Sequence, residues 1–266
     1  MTFIQPTETS TLRASSVQTI IDGVNLDETY TTDKNEIRTL KVFGRDSTEY
    51  NVRNIDVPGR DGSLNQGKFL KSRPLKIRVK IKSDSHTNFL KLMEAINSHF
   101  DSRKAQAIQF SDENLIYYGA YIAKSETSGY KKSEIIDFEF ICHDPYKYTE
   151  EQSMLYSNAT TINVNSRYPV KPYLQVIFTE VTNEFSIRNT SKDLSIFYER
   201  EDAFNTQVYH FEIDNNRIHR STNETDGIAG LVLMSDWEDF VIEDGDQLVV
   251  TPTPESITVI YRGVYL

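Results

Sequence analysis

The chain has 266 residues, 38% of them hydrophobic and 26% charged, and its formal net charge is −10 at pH 7. No apolar run approaches the ~20 residues that a membrane helix needs, so we expect a soluble globular protein without a membrane partner. The acidic balance argues against stable nucleic-acid binding, because phosphate contacts require clustered Lys and Arg. The single cysteine, Cys142, excludes an internal disulfide framework and is expected to be buried. The first residues lack a basic segment followed by an apolar core, which predicts synthesis in a cytosol without a secretory signal.

Charge divides the chain into two parts. Residues 1–148 carry 21 Lys and Arg against 20 Asp and Glu, whereas residues 149–266 carry 8 against 19. The net charges are therefore +1 and −11. Each part is long enough to bury its own core, so we predict two domains, 1–148 and 149–266.

The first part predicts a β-sheet with one packed helix. Weak alternation of apolar residues at 12–24 and stronger runs at 39–43 and 50–57 indicate strands. Residues 105–110 and 115–122 indicate a hairpin.

A tight loop is predicted between two of these strands. The segment reads Val57-Pro58-Gly59-Arg60-Asp61-Gly62-Ser63-Leu64, and its two glycines and proline require at least one positive φ angle. A phosphate-binding loop is not favoured, because the segment lacks the Gly-Lys-Ser/Thr ending and no helix follows it.

Residues 75–82 alternate strictly between apolar and basic side chains. The period predicts a strand that buries Leu75, Ile77, Val79 and Ile81 and turns Lys76, Arg78, Lys80 and Lys82 to the other face. The basic face could contact nucleic acid. No aromatic residue lies among the four charges to stack on a base, so we favour a solvated face or protection of a sheet edge.

One convincing helix follows this strand. Its apolar stripe consists of Phe89, Leu92, Met93, Ile96 and Phe100, whose spacing places them on a single face towards a sheet. Asp84 or Ser85 can cap its first turn. We expect His86 and His99 to be surface residues near its two ends.

The stretch 135–148 closes the first part. Ile136, Phe138 and Phe140 alternate with Asp137 and Glu139, which predicts a strand with one buried and one wet face. Asp144-Pro145 ends the strand, because proline lacks the N–H that a ladder needs. The amphipathic rings that follow can lie across a joint. We therefore predict an interdomain joint formed by Asp144, Pro145, Tyr146 and Tyr148.

The second part shows no helical period and predicts a β-sandwich. Short apolar runs separated by turn residues occur at 162–164, 173–178, 185–187, 194–198, 208–213, 247–251 and 257–261. The segment 213–218 has the residues of a hairpin turn.

No residue group in the sequence indicates catalysis, a cofactor or a metal. The groups considered are the carboxylate pair Asp137 and Glu139, the set His99, His143 and Asp144, and the acidic turn at 243–246. The pair fits the wet face of a strand as well as a glycosidase site. The second set lacks a metal-ligand spacing, and the turn lacks the alternating acids of a calcium loop. We therefore predict that the protein is not an enzyme.

Several segments together resemble the distal tail proteins (Dit) of siphophages, the long-tailed bacteriophages with non-contractile tails. The segments are the loop 57–64, Arg73 with the strand 75–81, the helix 89–100, the strand 108–112, the run 138–148 and the ending 261–266. They are specific in combination and weak singly.

The resemblance implies a hexameric ring of N-terminal domains, each with a sheet, a helix and a long β-hairpin, surrounded by galectin-like C-terminal sandwiches. Such a ring joins the tail tube protein to the tail-associated tip protein, lets DNA pass through its lumen, and can anchor receptor-binding components. It is found in the virion tail after synthesis in the bacterial host cytoplasm. We expect the ring contacts to involve the hairpin strands and Pro58, Gly59, Arg60, Asp61 and Gly62.

A carbohydrate-binding lectin is the main alternative. It is suggested by an aromatic-rich sandwich with exposed tyrosines and Trp237, whose ring could stack on a saccharide. The acids around it, Asp236, Glu238 and Asp239, are equally compatible with a tryptophan at the edge of the core. A cell-wall hydrolase is a more distant third possibility.

Overall fold

The computed structural model describes residues 17–46, 48–56, 58–59, 61–125, 132–200, 207–220 and 225–266. The fold is mainly β with one long helix, as predicted, and it divides into two compact units, Met1–Pro145 and Tyr146–Leu266. Each unit is described by itself. Part of the strand predicted at 12–24 lies outside the described residues.

The first unit contains nine strands and two helices within the described ranges. The strands are β1 Thr19–Ile21, β2 Val24–Asn25, β3 Asn35–Phe43, β4 Tyr50–Asp56, β5 Ser63–Leu70, β6 Arg73–Ser83, β7 Gln106–Phe110, β8 Glu113–Lys124 and β9 Ser133–Cys142. The helices are α1 Leu26–Thr29 and α2 His86–Phe100. Seven strands form an antiparallel sheet in the order β2-β1-β7-β8-β9-β6-β3. The remaining two, β4 and β5, pair only with each other.

Helix α2 packs its apolar stripe into the core of this unit. The five predicted stripe residues are all buried, and they join the buried face of β6 in one cluster. The ring of Phe100 lies 5.1 Å from that of Phe138 and 5.4 Å from that of Phe140, both in edge-on geometry. The Ser85 hydroxyl accepts a hydrogen bond from the amide of Asn88, which satisfies one free donor of the first turn. The helix prediction and its cap are confirmed.

Two features near this helix differ from the sequence prediction. The one-turn helix α1 was not predicted, since four residues are too few to show a helical period. His86 and His99 are half-buried, and Nε2 of His99 lies 3.2 Å from the carbonyl oxygen of Ile21. Both histidines are thus less exposed than the plain surface residues that the sequence predicted, and strand β1 contacts the ring of His99.

The second unit is a β-sandwich, as predicted. Its strands are β10 Lys147–Tyr148, β11 Gln152–Tyr156, β12 Tyr173–Ile177, β13 Glu184–Asn189, β14 Leu194–Glu199, β15 Val208–Glu212, β16 Arg217–Arg220, β17 Thr225–Asp226, β18 Leu248–Thr251, β19 Ser256–Tyr261 and β20 Val264–Tyr265. A six-stranded sheet has the order β11-β19-β12-β15-β16-β17, and a three-stranded sheet has the order β14-β13-β18. Strand β10 pairs with β20.

Aromatic rings join the two sheets of the sandwich. Phe185 of the smaller sheet lies 4.7 Å from Tyr209 and 5.8 Å from Phe211 of the larger sheet, measured between ring centroids. All three side chains are buried. Such offset and edge-on contacts stabilise a core beyond the area that they bury.

One strand predicted in the second unit is absent. Ile162 and Val164 are buried, but their amides donate to Asp246 O and Asp244 Oδ1 in the acidic turn rather than to a neighbouring strand. Alternation of apolar residues records burial and cannot tell a strand from an extended segment held by a turn.

Candidate assembly surface

Strands β4 and β5 form a hairpin that stands apart from the sheet of the first unit. We call this hairpin the arm. At about 3.3 Å per residue, the eight residues of β5 give the arm a length of roughly 26 Å. The turn between the strands contains Gly59 and Gly62 with φ angles of 80° and 78°, which confirms the predicted positive φ. Val57 and Arg60 of the same loop lie outside the described residues.

The arm is exposed on both faces. Every residue of β4 and β5 is exposed except Leu70, which is half-buried. The exposed residues include five large apolar side chains, Tyr50, Val52, Ile55, Leu64 and Phe69, with Phe69 reaching 55% exposure. A two-stranded hairpin is marginally stable in water by itself, and apolar groups clustered on an exposed element mark a contact surface. The arm therefore has the properties of an element that is completed by another molecule.

Two cross-strand contacts stabilise the arm internally. Nζ of Lys68 lies 4.5 Å from the ring centroid of Tyr50, and the guanidinium of Arg53 lies 5.2 Å from that of Phe69. Each cation over an aromatic face contributes about 0.5–1 kcal/mol at an exposed site. These contacts favour the hairpin conformation without burying its apolar side chains.

A buried arginine fixes the root of the arm, by which we mean residues 44–46, 48–49 and 71–73. Arg73 is only 2% exposed. Its Nη1 donates to the carbonyls of Gly44 at 3.1 Å and Arg45 at 2.8 Å, and its Nε donates to Pro145 O at 2.9 Å. One guanidinium thus ties the segment that leads into the arm to the end of the first unit.

A second arginine holds the root from the other side. Arg45 forms a bidentate pair with Asp112, with N–O distances of 2.6 and 3.0 Å, and lies over the ring of Phe110. The hydrogen bond from Arg45 lowers the pKa of Asp112 below its ordinary value. Gly44, with a φ of +88°, sits so close to Pro74 O that a Cβ atom would lie 2.0 Å from it. The arm is therefore displayed from a rigid base.

Carboxylates pair with two of the four residues of the predicted basic strand face. Lys76 Nζ lies 2.8 Å from Glu139, and the guanidinium of Arg78 pairs with both oxygens of Asp137 at 2.8 and 2.9 Å. Hydrogen bonding from Arg78 lowers the pKa of Asp137. These pairs explain why β6 alternates basic residues and β9 acidic ones, since the two strands are neighbours with Lys76 opposite Glu139 and Arg78 opposite Asp137. They also occupy the two carboxylates considered as a catalytic pair.

The four residues of the predicted joint lie where the two units divide. Asp144 is exposed and Pro145 is half-buried. Tyr146 packs its ring against Tyr168 with centroids 5.2 Å apart, and Tyr148 pairs with Val264 across β10 and β20. Their role in orienting the units stays a prediction.

The structure corrects the interpretation of Trp237 as an exposed sugar-stacking ring. Its side chain is 7% exposed and belongs to the core of the second unit. The indole Nε1 donates to Asn216 Oδ1 at 3.0 Å, and its ring lies 6.2 Å from that of Phe211. The two sheets enclose this tryptophan, so its face is not available to a saccharide.

The side chains of the acidic turn at 243–246 accept hydrogen bonds from neighbouring backbone and side-chain groups. Asp246 is buried, and its Oδ2 accepts from Asn189 Nδ2 at 2.7 Å and from the amide of Glu243 at 2.9 Å. Asp244 accepts from Val164, as described above. In the part of the chain that the structure describes, no three His, Cys, Asp or Glu side chains converge as a metal site. Cys142 is buried, as predicted, and burial raises the pKa of its thiol to about 12.

None of the helices within the described ranges has both the length and the apolar character that crossing a membrane requires.

Comparison with known proteins finds similarity to phage tail proteins. Residues 25–140 match the family described as the phage tail protein RIFT-related domain. The distal tail protein of Bacillus phage SPP1 is 26% identical over 223 residues, which cover 76% of this chain and 87% of that protein.

Solved structures show the same fold. The crystal structure of SPP1 Dit, described as a paradigm of the hub adsorption apparatus in phages that infect Gram-positive bacteria, matches with a TM-score of 0.77 and 21% identity. That match covers 94% of this chain and 99% of the SPP1 chain. A chain of the phage P2 baseplate in its activated conformation matches over 93% of this chain and 98% of its own, with a TM-score of 0.57 and 10% identity.

The sequence predicted strand β4 and the loop that follows it, but neither strand β5 nor the root. Arg45 and Asp112 are 67 residues apart, and Arg73 meets carbonyls 28 and 72 residues away. No local spacing in the sequence connects these groups, and only the folded sheet brings them together.

Proposed function

We propose that the chain is a distal tail protein of a siphophage and assembles as a hexameric ring at the tip of a phage tail. The similarity to the phage tail protein RIFT-related domain and to the distal tail protein of SPP1 supports this proposal. The ring joins the tail tube protein to the tail-associated tip protein, and DNA passes through its lumen. Its role is that of a structural adaptor and not of an enzyme.

The exposed arm is the observation that carries this proposal. Burying the exposed part of a large apolar side chain contributes about 1 kcal/mol, so the five apolar residues of the arm contribute about 5 kcal/mol at each contact between copies. A ring repeats the contact at every subunit, and each arm then packs on the neighbour's first unit. The rigid root supports this arrangement, because a positioned arm loses less conformational freedom on binding than a mobile one.

The charge of the first part fits close packing of copies. With a net charge of +1 over residues 1–148, neighbouring subunits accumulate little repulsion. The acidic second part, with a net charge of −11, stays solvated around the ring. In this arrangement the galectin-like sandwich lies outside, the joint at Asp144, Pro145, Tyr146 and Tyr148 sets its orientation, and receptor-binding components attach to the completed tip.

Static light scattering on the purified full chain tests the ring. Wild-type protein is expected at the mass of six chains of 30.7 kDa, about 184 kDa. The double variant Val52→Thr with Phe69→Thr keeps residues that favour strands but removes apolar area from the arm. We expect its mass to fall towards that of a single chain.

The matched control is Leu155→Thr, which changes an apolar side chain of 71% exposure on β11 in the second unit. It should leave the mass unchanged, and circular dichroism should show all variants folded. A wild-type monomer, or a double variant with the full ring mass, would remove the arm from the assembly surface.

A further inference from the structure

We propose that the turn containing Leu233 and Met234 in the second unit is a docking point for another protein, one that presents an apolar pocket bordered by Lys and Arg. We call residues 231–236 the apolar turn. The inference rests on the proposed function in taking the chain to be a component of a phage tail, but it does not depend on the arm contacts, because it concerns a different unit and a different surface.

The apolar turn displays two large side chains completely to solvent. Leu233 is 102% exposed and Met234 is 83% exposed, the highest values among the large apolar residues of the described chain. Phe197 of the adjacent strand β14 adds a partly exposed ring. Scattered single apolar residues on a surface are ordinary, but two at the tip of one turn, with an aromatic ring on the strand beside it, form a contiguous apolar group of the kind that marks an interaction site.

Hydrogen bonds hold the turn in a fixed conformation. The amide of Ser235 donates to Val232 O at 2.9 Å, which closes the turn beneath Leu233 and Met234. This i to i+3 bond places the two exposed residues at the central positions of a β-turn. Their side chains are consequently directed away from the unit rather than onto its core.

Both ends of the turn are bound to β14. The amide of Val232 donates to Phe197 O at 3.0 Å, and that of Asp236 donates to Ser195 O at 2.8 Å. The Ser195 amide in turn donates to Asp236 Oδ2 at 2.8 Å. The turn thereby occupies the open edge of the three-stranded sheet, so a partner meets side chains at the tip and not an unpaired strand. A turn fixed in this way loses little conformational freedom on binding.

The surrounding charge determines the chemistry of the partner. Glu238 and Asp239 follow the turn, Glu199 ends β14, and all three are exposed. Across the described residues, no Lys or Arg forms an ion pair with any of them. A partner with basic residues around its pocket would neutralise these carboxylates as the apolar side chains enter.

The same charges argue against other occupants. A second copy of the acidic part of the chain carries the same net charge of −11 and is repelled. A membrane surface rich in anionic lipids is repelled for the same reason. A protein with a basic rim is the occupant that satisfies both the apolar tip and the acidic border.

Photo-crosslinking in assembled phage tails tests this proposal. Tails are purified from cells that make the full chain with the photoreactive residue benzoylphenylalanine in place of Leu233, and crosslinked peptides are identified by mass spectrometry after irradiation. We expect crosslinks to one different tail protein, at a peptide that combines apolar residues with Lys or Arg. The same substitution at Leu155 is the control and should not capture that protein.

Two further variants measure the contribution of each part of the surface. Leu233→Ser with Met234→Ser should reduce the amount of the crosslinked protein that remains on purified tails at least about tenfold. Glu238→Lys with Asp239→Lys should also weaken retention, through repulsion of the basic rim. Crosslinks only within the chain, only to other copies of it or to no protein, or full retention in the Leu233 and Met234 variant, would each overturn the proposal.

Discussion

The side chain of Arg73 links segments of the first unit that are far apart in the sequence. It is a buried cation whose three described hydrogen bonds all go to backbone carbonyls, so it links segments that no strand pairing joins. Buried charges require such partners, because transferring an unpaired charge out of water is costly. The sequence around it, an arginine at the start of an alternating strand, gives no indication that this residue differs from the exposed arginines.

We predict that Arg73→Met lowers the free energy of unfolding of the first unit by about 3 kcal/mol, because three part-buried carbonyls lose their donor. Urea titration followed by circular dichroism measures the change. Arg103→Met, at an exposed position, is the control and should have almost no effect. Equal stability of the two variants would mean that Arg73 does not hold the root.

His210 makes the stability of the second unit depend on pH. Its Nδ1 lies within hydrogen-bonding distance of the Tyr173 hydroxyl, and it is directly opposite His219 across β15 and β16. Burial and the neighbouring His219 lower the pKa of His210 below its ordinary value of 6.5, while Glu212 acts in the opposite direction. The folded state therefore binds fewer protons than the unfolded state below that pH.

We predict that the second unit is fully stabilised above about pH 6.5 and loses stability as the pH falls through the lowered pKa of His210. Thermal unfolding recorded between about pH 7.5 and pH 5 measures this loss. His210→Gln cannot titrate and should show a flatter dependence than the wild type. An unchanged slope in that variant would assign the pH dependence to other groups.

At the scale of secondary structure, periodicity predicted the elements that form the core. Helix α2, strand β6 and strand β9 each follow a regular pattern of apolar residues, and each buries the face that the pattern indicates. The same kind of pattern predicted β4, which buries nothing. Tyr50 and Val52 alternate as they would in a half-buried strand, and only the three-dimensional structure shows that β4 and β5 leave the sheet. Alternation of apolar residues thus predicts a strand with an apolar face, but it does not show whether that face is covered by the same chain or left exposed for another molecule.

The helix gives a direct test of core packing. Phe100 touches the rings of Tyr121, Phe138 and Phe140 and is fully buried. We predict that Phe100→Ala lowers the free energy of unfolding of the first unit by about 3–5 kcal/mol through lost burial and the cavity left behind. Leu90→Ala, at a half-exposed position of α2 outside the buried stripe, should cost much less. Denaturant titration of the two variants distinguishes these outcomes.

At the scale of the whole molecule, charge separated the two parts in the sequence and the structure divides the chain into two compact units. The sandwich of the second unit could be predicted from its short apolar runs, but its two-residue strands could not. Strands β10, β17 and β20 have two residues each, which is too short to show a period; β10 and β20 pair with each other, and β17 pairs with β16. The sequence left two interpretations of Trp237 open, an exposed ring or a ring at the edge of the core, because acidic neighbours say little about whether a side chain is buried; the structure supports the second.

The paired charges on β6 and β9 lead to a prediction about DNA. A ring that DNA passes through must release it, because every added phosphate contact strengthens binding. We predict that the full chain does not retain a short DNA duplex at physiological salt in a gel-shift assay. Asp137→Asn with Glu139→Gln removes the partners of Arg78 and Lys76 and should increase retention at low salt.

The control for this assay is Glu199→Gln, which removes a negative charge from β14 without exposing a basic pair. Retention of duplex DNA by the wild type would contradict the prediction, and so would equal behaviour of the double variant and the control.

If the proposed ring forms, the solitary arm also affects the newly made subunit before it meets its neighbours. Arg53 and Lys68 are exposed on strands that the described part of the chain does not cover, which makes them accessible to trypsin. Closure of the ring would cover the peptide bonds that follow Arg53 and Lys68. The rate of tryptic cleavage in the arm would therefore be proportional to the concentration of unassembled subunits. A phage that makes this chain in excess would therefore lose the surplus to host proteases while its finished tails stayed intact.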